Sequence, residues 1–236
     1  MRRRRPFIHA DRRAMLVAVV EDDVEFRDAI IRGDLAAVEC MLCDGANPNA
    51  HFGEDGWVAL FYAIEHDWPQ IVAALLAAGA DVNYRSEIGC TALHCAIESE
   101  VQVAMYEYDY GAGASPIDFR HIGPLLIAGA DTTAFGSWYK TPVEHARGYM
   151  YLKWDEGPRR RARLAGRVTR AFTADDTSRA LDVLELVDFA WRHNDSSRPP
   201  GAVIDQMLAD SHGDYSQLIV ASVAAIRTRH SESEGS

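Results

Sequence analysis

A phrase that recurs along the chain constrains its fold more than any other feature. Two apolar residues and two spacers are followed by Gly-Ala-Asn or Gly-Ala-Asp, at Met41–Asn47, Leu75–Asp81 and Leu125–Asp131. The glycines of the first two copies, Gly45 and Gly79, are 34 residues apart. This spacing is the length of one small two-helix unit, so the sequence predicts a stack of such units.

Each part of the phrase has a physical role. A glycine after an apolar run ends a helix, because it can adopt the left-handed conformation that caps the C-terminus. Upstream, Thr91 precedes Leu93 and Ala96 and can act as an N-cap whose hydroxyl accepts a hydrogen bond from a backbone N–H. A second helix follows, as at 68–76, with Pro69 in its first turn. One helix pair cannot bury its apolar face, so each unit must stack on the next.

These phrases resemble the signature of ankyrin repeats, Thr-Pro-Leu-His-x-Ala followed by Leu-Leu-x-x-Gly-Ala-Asp-Val-Asn. The nearest matches are residues 91–96 and 75–83, and the similarity extends from about Phe26 to Tyr149. The first unit lacks the Thr-Pro-Leu-His phrase and resembles a capping repeat. The resemblance implies an all-α solenoid of helix-turn-helix units joined by hairpin loops, with further helices at the C-terminus.

The third unit is longer than the repeat period. Leu93 and Val143, which open equivalent helices, are 50 residues apart, about 17 more than the family period. The surplus lies near 101–117, between the two helices of the unit, and contains three tyrosines at alternate positions. Two interpretations are open: an extended first helix with a surface loop that binds nothing, or a Tyr-rich contact loop, since tyrosine offers a large contact area at low entropic cost.

The repeats divide the chain into four parts. Residues 1–21 are a basic tail and lead-in, and 22–150 hold the repeats with their insertion. Residues 151–230 include an apolar helix over 181–191, and this part either caps the last repeat or forms a separate helical domain. The polar end, 231–236, is predicted to be disordered.

Net charge is unevenly distributed along the chain. The whole chain has a formal charge of −11, but residues 21–156 alone contain 23 acidic and 7 basic side chains. The repeats therefore present an acidic surface, which favours a basic protein partner and disfavours nucleic acid. A cluster of arginines at 159–170 follows, and we interpret it as a solvated helix that neutralises the acidic body.

Composition and cysteine placement indicate a cytoplasmic protein without a membrane partner. No stretch approaches the roughly 20 apolar residues that span a bilayer, and the Arg-rich start lacks the apolar core and cleavage site of a signal peptide. The cysteines form two pairs, Cys40 with Cys43 and Cys90 with Cys95, in different units. Four sulfurs so far apart cannot bind one zinc ion, and we expect mostly buried thiols in a reducing compartment.

Catalytic motifs are missing from the sequence. It contains no nucleophile elbow, glycine-rich phosphate loop or carboxylate-rich metal motif. By its resemblance to ankyrin repeats, His94 occupies the position at which a histidine side chain hydrogen-bonds to the backbone of the neighbouring loop. The resemblance therefore implies a structural role for His94. We therefore expect no enzymatic activity, no metal and no cofactor; an enzyme with an unrecognised site in the C-terminal region is an alternative.

The resemblance implies a protein-binding function, through a concave groove of first helices and hairpin tips. The leading interpretation is a module that binds a basic protein, as an immunity or inhibitor protein does when it neutralises a toxic enzyme. The alternative is an adaptor or secreted effector that recruits a target through the repeats and a second protein through the C-terminal helices. The candidate binding residues are Trp57, Glu65, His66, Arg85, Glu87, Ile88, Glu98, Glu100, Tyr106, Tyr108, Tyr110, Trp138, Tyr139, Lys140 and Tyr149.

Overall fold

The computed structural model describes residues 24–52, 56–111, 115–136, 139–150, 157–195 and 201–234. These residues are predominantly helical, with one short antiparallel strand pair. The elements are α1 (24–32), α2 (Leu35–Cys43), β1 (His51–Phe52), β2 (Trp57–Val58), α3 (Ala59–Glu65), α4 (Pro69–Ala77), α5 (Ala92–Ile97), a π-helix (Glu98–Gln102), α6 (Val103–Tyr110), α7 (Ile122–Ile127), α8 (Pro142–Met150), α9 (Gly157–Ala171), α10 (Ala174–Asp195), α11 (Gly201–Ser211) and α12 (Tyr215–Glu234).

The helices stack as two rows, which confirms the predicted all-α solenoid. First helices pack in series, α3 on α5 and α5 on α8, and second helices do the same, α2 on α4 and α4 on α7. Between the first two units, β1 and β2 pair with His51 opposite Val58. The side chains of Leu60, Leu93 and Leu125 are fully buried between the rows.

The recurring Gly-Ala phrase ends each second helix, as its sequence predicts. Gly79 has a φ of 91°, and its N–H donates to the Leu76 carbonyl at 3.1 Å. The next N–H, of Ala80, donates to the Leu75 carbonyl at 2.9 Å. This pair of bonds is the Schellman motif, and the same bonds follow α2 and α7.

Asparagine side chains join the turns of successive units. The amide of Asn49 accepts a hydrogen bond from the Asp81 N–H at 2.7 Å and donates one to the Gly79 carbonyl at 3.3 Å. Asn83 makes the equivalent pair one unit later, at 2.8 and 3.1 Å. At the next equivalent position, Thr133 bonds to the aspartate of its own turn instead. The amides therefore fix the spacing between units one, two and three.

The insertion of the third unit is a helical extension. The backbone continues from α5 through the π-helix into α6 without a break, so this first helix runs from Ala92 to Tyr110. It ends at Gly111, which has a φ of 71°. A π-helical turn holds an extra residue relative to an α-helix and changes the direction in which later side chains point. The extended first helix is therefore observed, and a contact role for its tyrosines stays a prediction.

The segment after the insertion is bound to the C-terminal helices. The N–H of Ile117 donates to the side-chain oxygen of Asn194 at 3.2 Å, and the Asn194 amide donates to the Ile117 carbonyl at 3.2 Å. His193 donates to the Ser115 carbonyl at 3.0 Å. Residues 115–117 are therefore held along the end of α10 and do not form a free loop.

Glu100 is buried in this region, although the sequence analysis placed it on the binding surface. Its Oε1 accepts hydrogen bonds from the N–H groups of His121 and Ile122, at 2.7 and 2.9 Å, at the start of α7. Its Oε2 is buried without a hydrogen-bond partner. Burial raises the pKa of Glu100 to about 7, although the two N–H bonds act in the opposite direction. Glu100 therefore accepts hydrogen bonds from backbone N–H groups at the start of α7, where the chain returns to the stack after the insertion.

The C-terminal helices cover the end of the stack. α12 packs on α7 and α10 packs on α8, and their buried residues join those of the repeats in one hydrophobic core. α12 also continues the row of second helices. Because α12 reaches Glu234, residues 231–234 are helical, contrary to the predicted disorder. No helix in the described part of the chain is long and apolar enough to cross a bilayer.

Arginines of α9 form ion pairs that link the C-terminal helices. Arg161 bonds to both Glu185 and Asp182 of α10, and Arg147 of α8 forms a two-point pair with the same Glu185. Arg167 pairs with Asp205 of α11. Arg161 and Arg167 thus pair with carboxylates of α10 and α11, and the neutralisation of the acidic repeats by the arginine cluster stays a prediction.

A chain that ends at Tyr149 should expose the apolar face of α7, since α9 to α12 would be missing. We expect it to associate and to bind a hydrophobic dye such as ANS, as measured by size-exclusion chromatography and fluorescence. A chain lacking only residues 231–236 is the control and should behave like the full chain. A monomeric truncated chain with the melting temperature of the full chain would contradict the covering role.

Replacing Glu100 with Gln should alter how stability depends on pH. A carboxyl whose pKa is raised in the folded state contributes stability that is present below pH 4.5 and lost as the pH rises through about 7, a loss of roughly 3 kcal/mol. A glutamine side chain does not ionise, so the variant does not lose this stability as the pH rises. Glu100→Gln should therefore become more stable relative to the native chain between pH 5 and pH 8.

Urea unfolding at several pH values measures this difference. Glu98→Gln, a change on the same helix at an exposed position, controls for the loss of one carboxylate. If the free energy of unfolding of Glu100→Gln differs from that of the native chain by the same amount at every pH, Glu100 does not titrate as its burial implies.

Candidate functional site

The first helices bring acidic and aromatic side chains together on one face. Glu65 ends α3, Glu98 begins the π-helix, and the Tyr149 hydroxyl donates to Glu98 Oε1 at 3.4 Å. Burial raises the pKa of the Cys95 thiol, and the charges of Cys90, Glu98 and Glu65 raise it further. The Glu65 and Glu98 carboxylates therefore both lie near Cys95. The predicted residues Glu65, Glu98 and Tyr149 thus lie on a shared surface, which we call the acidic face.

Tyr149 is held on this face by two neighbours. In addition to Glu98, its hydroxyl lies 3.2 Å from Nε2 of His145, one turn earlier on α8. Burial and the Glu98 carboxylate raise the pKa of Tyr149 to about 12. The phenol therefore stays protonated at neutral pH and can donate a hydrogen bond, but a phenolate nucleophile is disfavoured.

His94 positions the loop next to the acidic face. Its Nδ1 accepts a hydrogen bond from the Thr91 N–H at 3.3 Å, and its Nε2 is 3.1 Å from the Lys140 carbonyl. Burial lowers the pKa of His94, which favours the neutral ring with its proton on Nε2, donating to Lys140. The predicted structural role of His94 is confirmed by these contacts.

Two loop tips beside this face expose large apolar side chains. The guanidinium of Arg85 donates to the Phe135 carbonyl, so the third-unit and fourth-unit loops are in contact. Ile88, Phe135 and Tyr139 are 63%, 56% and 90% exposed. We call these three residues the loop-tip patch. Phe135 is not among the residues predicted from the sequence, where the available signal was a large aromatic residue next to Gly136 in a loop.

The remaining predicted residues fall in several environments. Trp57 is half-buried and packs edge-to-face on Phe61 and Tyr62, with ring centroids 6.0 and 5.5 Å away, so it is largely a packing residue. Trp138 and the side chain of Tyr108 lie outside the described residues. The exposed members are His66, Arg85, Glu87, Lys140, Tyr106 and Tyr110, the last two on α6.

Two cysteines differ from their predicted burial, and no disulfide joins any of the four. Cys40 and Cys43 are exposed on α2, because they lie on its outer side and not on the face that packs against α4. Among the described residues, no three His, Cys, Asp or Glu side chains converge as a metal site.

The C-terminal helices surround a cleft that bears on the alternative of an enzyme. It has a volume of about 300 Å³ and is lined by apolar side chains, including Met150, Leu164 and Phe189, and by charged ones. Of its two carboxylates, Glu185 is bonded to Arg147 and Arg161, and Asp188 is bonded to Arg192. Both carboxylates that line the cleft are therefore occupied by arginine side chains.

Comparison with known proteins identifies the repeat region. Residues 26–108 match the family model for ankyrin repeats, in three copies. The mouse (Mus musculus) protein 2-5A-dependent ribonuclease is 38% identical over 73 residues, which is 31% of this chain and 10% of that protein. The chain thus spans about a tenth of the length of this relative.

A solved structure is similar at lower identity. The crystal structure of the ankyrin repeat domain of Bcl-3, described as a unique member of the IkappaB protein family, is 21% identical, with a TM-score of 0.41. The match covers 53% of this chain and 50% of that chain.

The family match and the geometry agree on the repeats. The matched residues include α1 to α5 and most of the extended helix, with their Schellman turns and asparagine bonds. Ankyrin repeats are protein–protein interaction modules, because stacked units present an extended surface to a partner. Residues 26–108, about a third of the chain, thus match the ankyrin-repeat family in sequence, and their stacked helix pairs agree with that match.

Proposed function

We propose that this chain is a cytoplasmic, non-enzymatic module that binds a basic protein through the acidic face and the loop-tip patch. One observation carries the proposal: the stack places Glu65, Glu98 and Tyr149 on one side, next to a loop edge with exposed apolar residues. A surface that combines carboxylates with large apolar anchors suits a partner with positive charges around an apolar centre.

The charge of the repeats supports a basic partner. Between 21 and 156 the acidic side chains exceed the basic ones by 16. Such a surface accelerates the approach of a positively charged protein and repels a negatively charged one. Two of the α9 arginines, Arg161 and Arg167, pair with carboxylates of α10 and α11.

Inhibition of a toxic enzyme is the role that we favour for this module. Enzymes that act on nucleic acids present basic clefts, and an acidic face can cover such a cleft. An adaptor that binds a second protein through the C-terminal helices is the alternative. The two roles differ in outcome, because an inhibitor abolishes its partner's activity on binding whereas an adaptor leaves it intact.

Reversing the charge of the acidic face should slow association with the native partner. Affinity purification from the host supplies the partner, and surface plasmon resonance across a salt series supplies the rates. For Glu65→Lys with Glu98→Lys we expect association to be slower by about tenfold at low salt, with a smaller difference once the Debye length falls to ~8 Å. Tyr139→Ala should mainly speed dissociation, because it removes an exposed anchor.

Glu39→Lys with Asp210→Lys is the matched control, since it makes the same two charge reversals at exposed positions on α2 and α11. The control should retain most of the native association rate. An acidic partner, or equal effects of the two double variants, would place binding on another face.

A further inference from the structure

We propose that α6 carries a second contact surface, the tyrosine platform of Val103, Tyr106 and Tyr110, which binds an arginine-bearing, apolar segment of the partner. The inference rests on the proposed function, because it specifies the chemistry of the basic partner. It concerns a different helix from the acidic face, so the two can be tested separately.

The platform is one exposed face of a helix. Its three residues are spaced by three and four positions, which places them on the same side of α6. They are 47%, 61% and 73% exposed, whereas Ala104 and Met105 are buried on the other side. The rings of Tyr106 and Tyr110 lie with centroids 4.4 Å apart and planes tilted by 35°. α6 therefore uses one face for packing and presents two adjacent aromatic rings on the other.

The charges around the platform specify a cationic occupant. Residues 98–118 contain no lysine, arginine or histidine, and the carboxylates Glu107 and Asp109 lie on α6 together with the tyrosines. A second copy of this chain would bring like charges together on this surface, which disfavours self-association. A positively charged side chain is attracted both by the carboxylates and by the faces of the tyrosine rings.

Arginine fits this surface better than lysine. Its planar guanidinium stacks on an aromatic ring and is weakly hydrated, whereas the lysine ammonium is a compact and strongly hydrated charge. Val103, one turn before Tyr106, extends the platform with an aliphatic contact. The complementary segment thus has an apolar residue next to one or more arginines.

The platform is also held in place before a partner arrives. α6 continues from α5 through the π-helix, and the segment that follows is bonded to Asn194 and His193 of α10. The Ser115 hydroxyl donates to Glu107 on α6 itself. A surface fixed in this way loses little conformational entropy on binding.

Synthetic amphipathic peptides test the proposal with the full chain. The first peptide has leucines at i, i+3 and i+7 with arginines beside them, and in the second every arginine is replaced by lysine. Fluorescence anisotropy at low salt measures both affinities. We expect the arginine peptide to bind more tightly, and Tyr106→Ala with Tyr110→Ala to weaken its binding by about tenfold, since two cation–π contacts are lost.

Two matched variants separate the platform from other surfaces. Ile127→Ala with Val220→Ala truncates two exposed apolar residues on α7 and α12 and should leave peptide binding unchanged. Glu65→Lys with Glu98→Lys should have a smaller effect on the peptide than the tyrosine variant. Circular dichroism checks that each variant is folded, as expected for exposed positions.

The outcomes distinguish the platform from the proposed function. If the tyrosine variant binds the arginine peptide as well as the native chain does, or if lysine binds equally well, the platform proposal is wrong. If only the Glu65→Lys with Glu98→Lys variant loses peptide binding, the platform proposal is also wrong, whereas the proposed function stands. A native dimer in sedimentation velocity that the tyrosine variant dissociates would show that the occupant is a second copy.

Discussion

The two-point hydrogen bonds of Asn49 and Asn83 are the constraint on which the repeat stack depends. Each amide reaches both an N–H and a carbonyl in the next turn, so it fixes distance and orientation together. Side chains on neighbouring first helices meet only if this registration is kept, as Glu65 of the second unit and Glu98 of the third do around Cys95. The two carboxylates of the acidic face therefore depend on the turns, although neither residue lies in them.

The insertion lengthens the third unit without disturbing that registration. Asp81 and Asp131, whose N–H groups donate to the two asparagine side chains, are 50 residues apart, yet the bonds at Asn83 match those at Asn49 in kind. The extra chain leaves the stack along the extended helix and re-enters at α7, where Glu100 supplies an acceptor for two N–H groups. A buried carboxylate is costly, and its use here reflects how poorly a six-residue helix satisfies its own start.

Local signals in the sequence predicted the repeats well. Gly45 and Gly79 mark helix ends because a left-handed residue is a property of the turn itself, and His94 three residues after Thr91 is a local capping pattern. The burial of Glu100 and the attachment of Ile117 to Asn194 could not be predicted, since the partners are 21 and 77 residues apart. Phe135 was missed for a similar reason, because exposure at a loop tip depends on which neighbouring loop lies beside it.

The bonds between Ile117 and Asn194 alter how this solenoid can unfold. In a linear stack, each unit contacts only its neighbours, so the terminal units can unfold one at a time. Here a side chain of α10 holds backbone from the third unit, so the chain between them, α8 included, forms a closed loop. The fourth unit cannot fray by itself, and the C-terminal half of the molecule becomes one cooperative block that must close a long loop to fold.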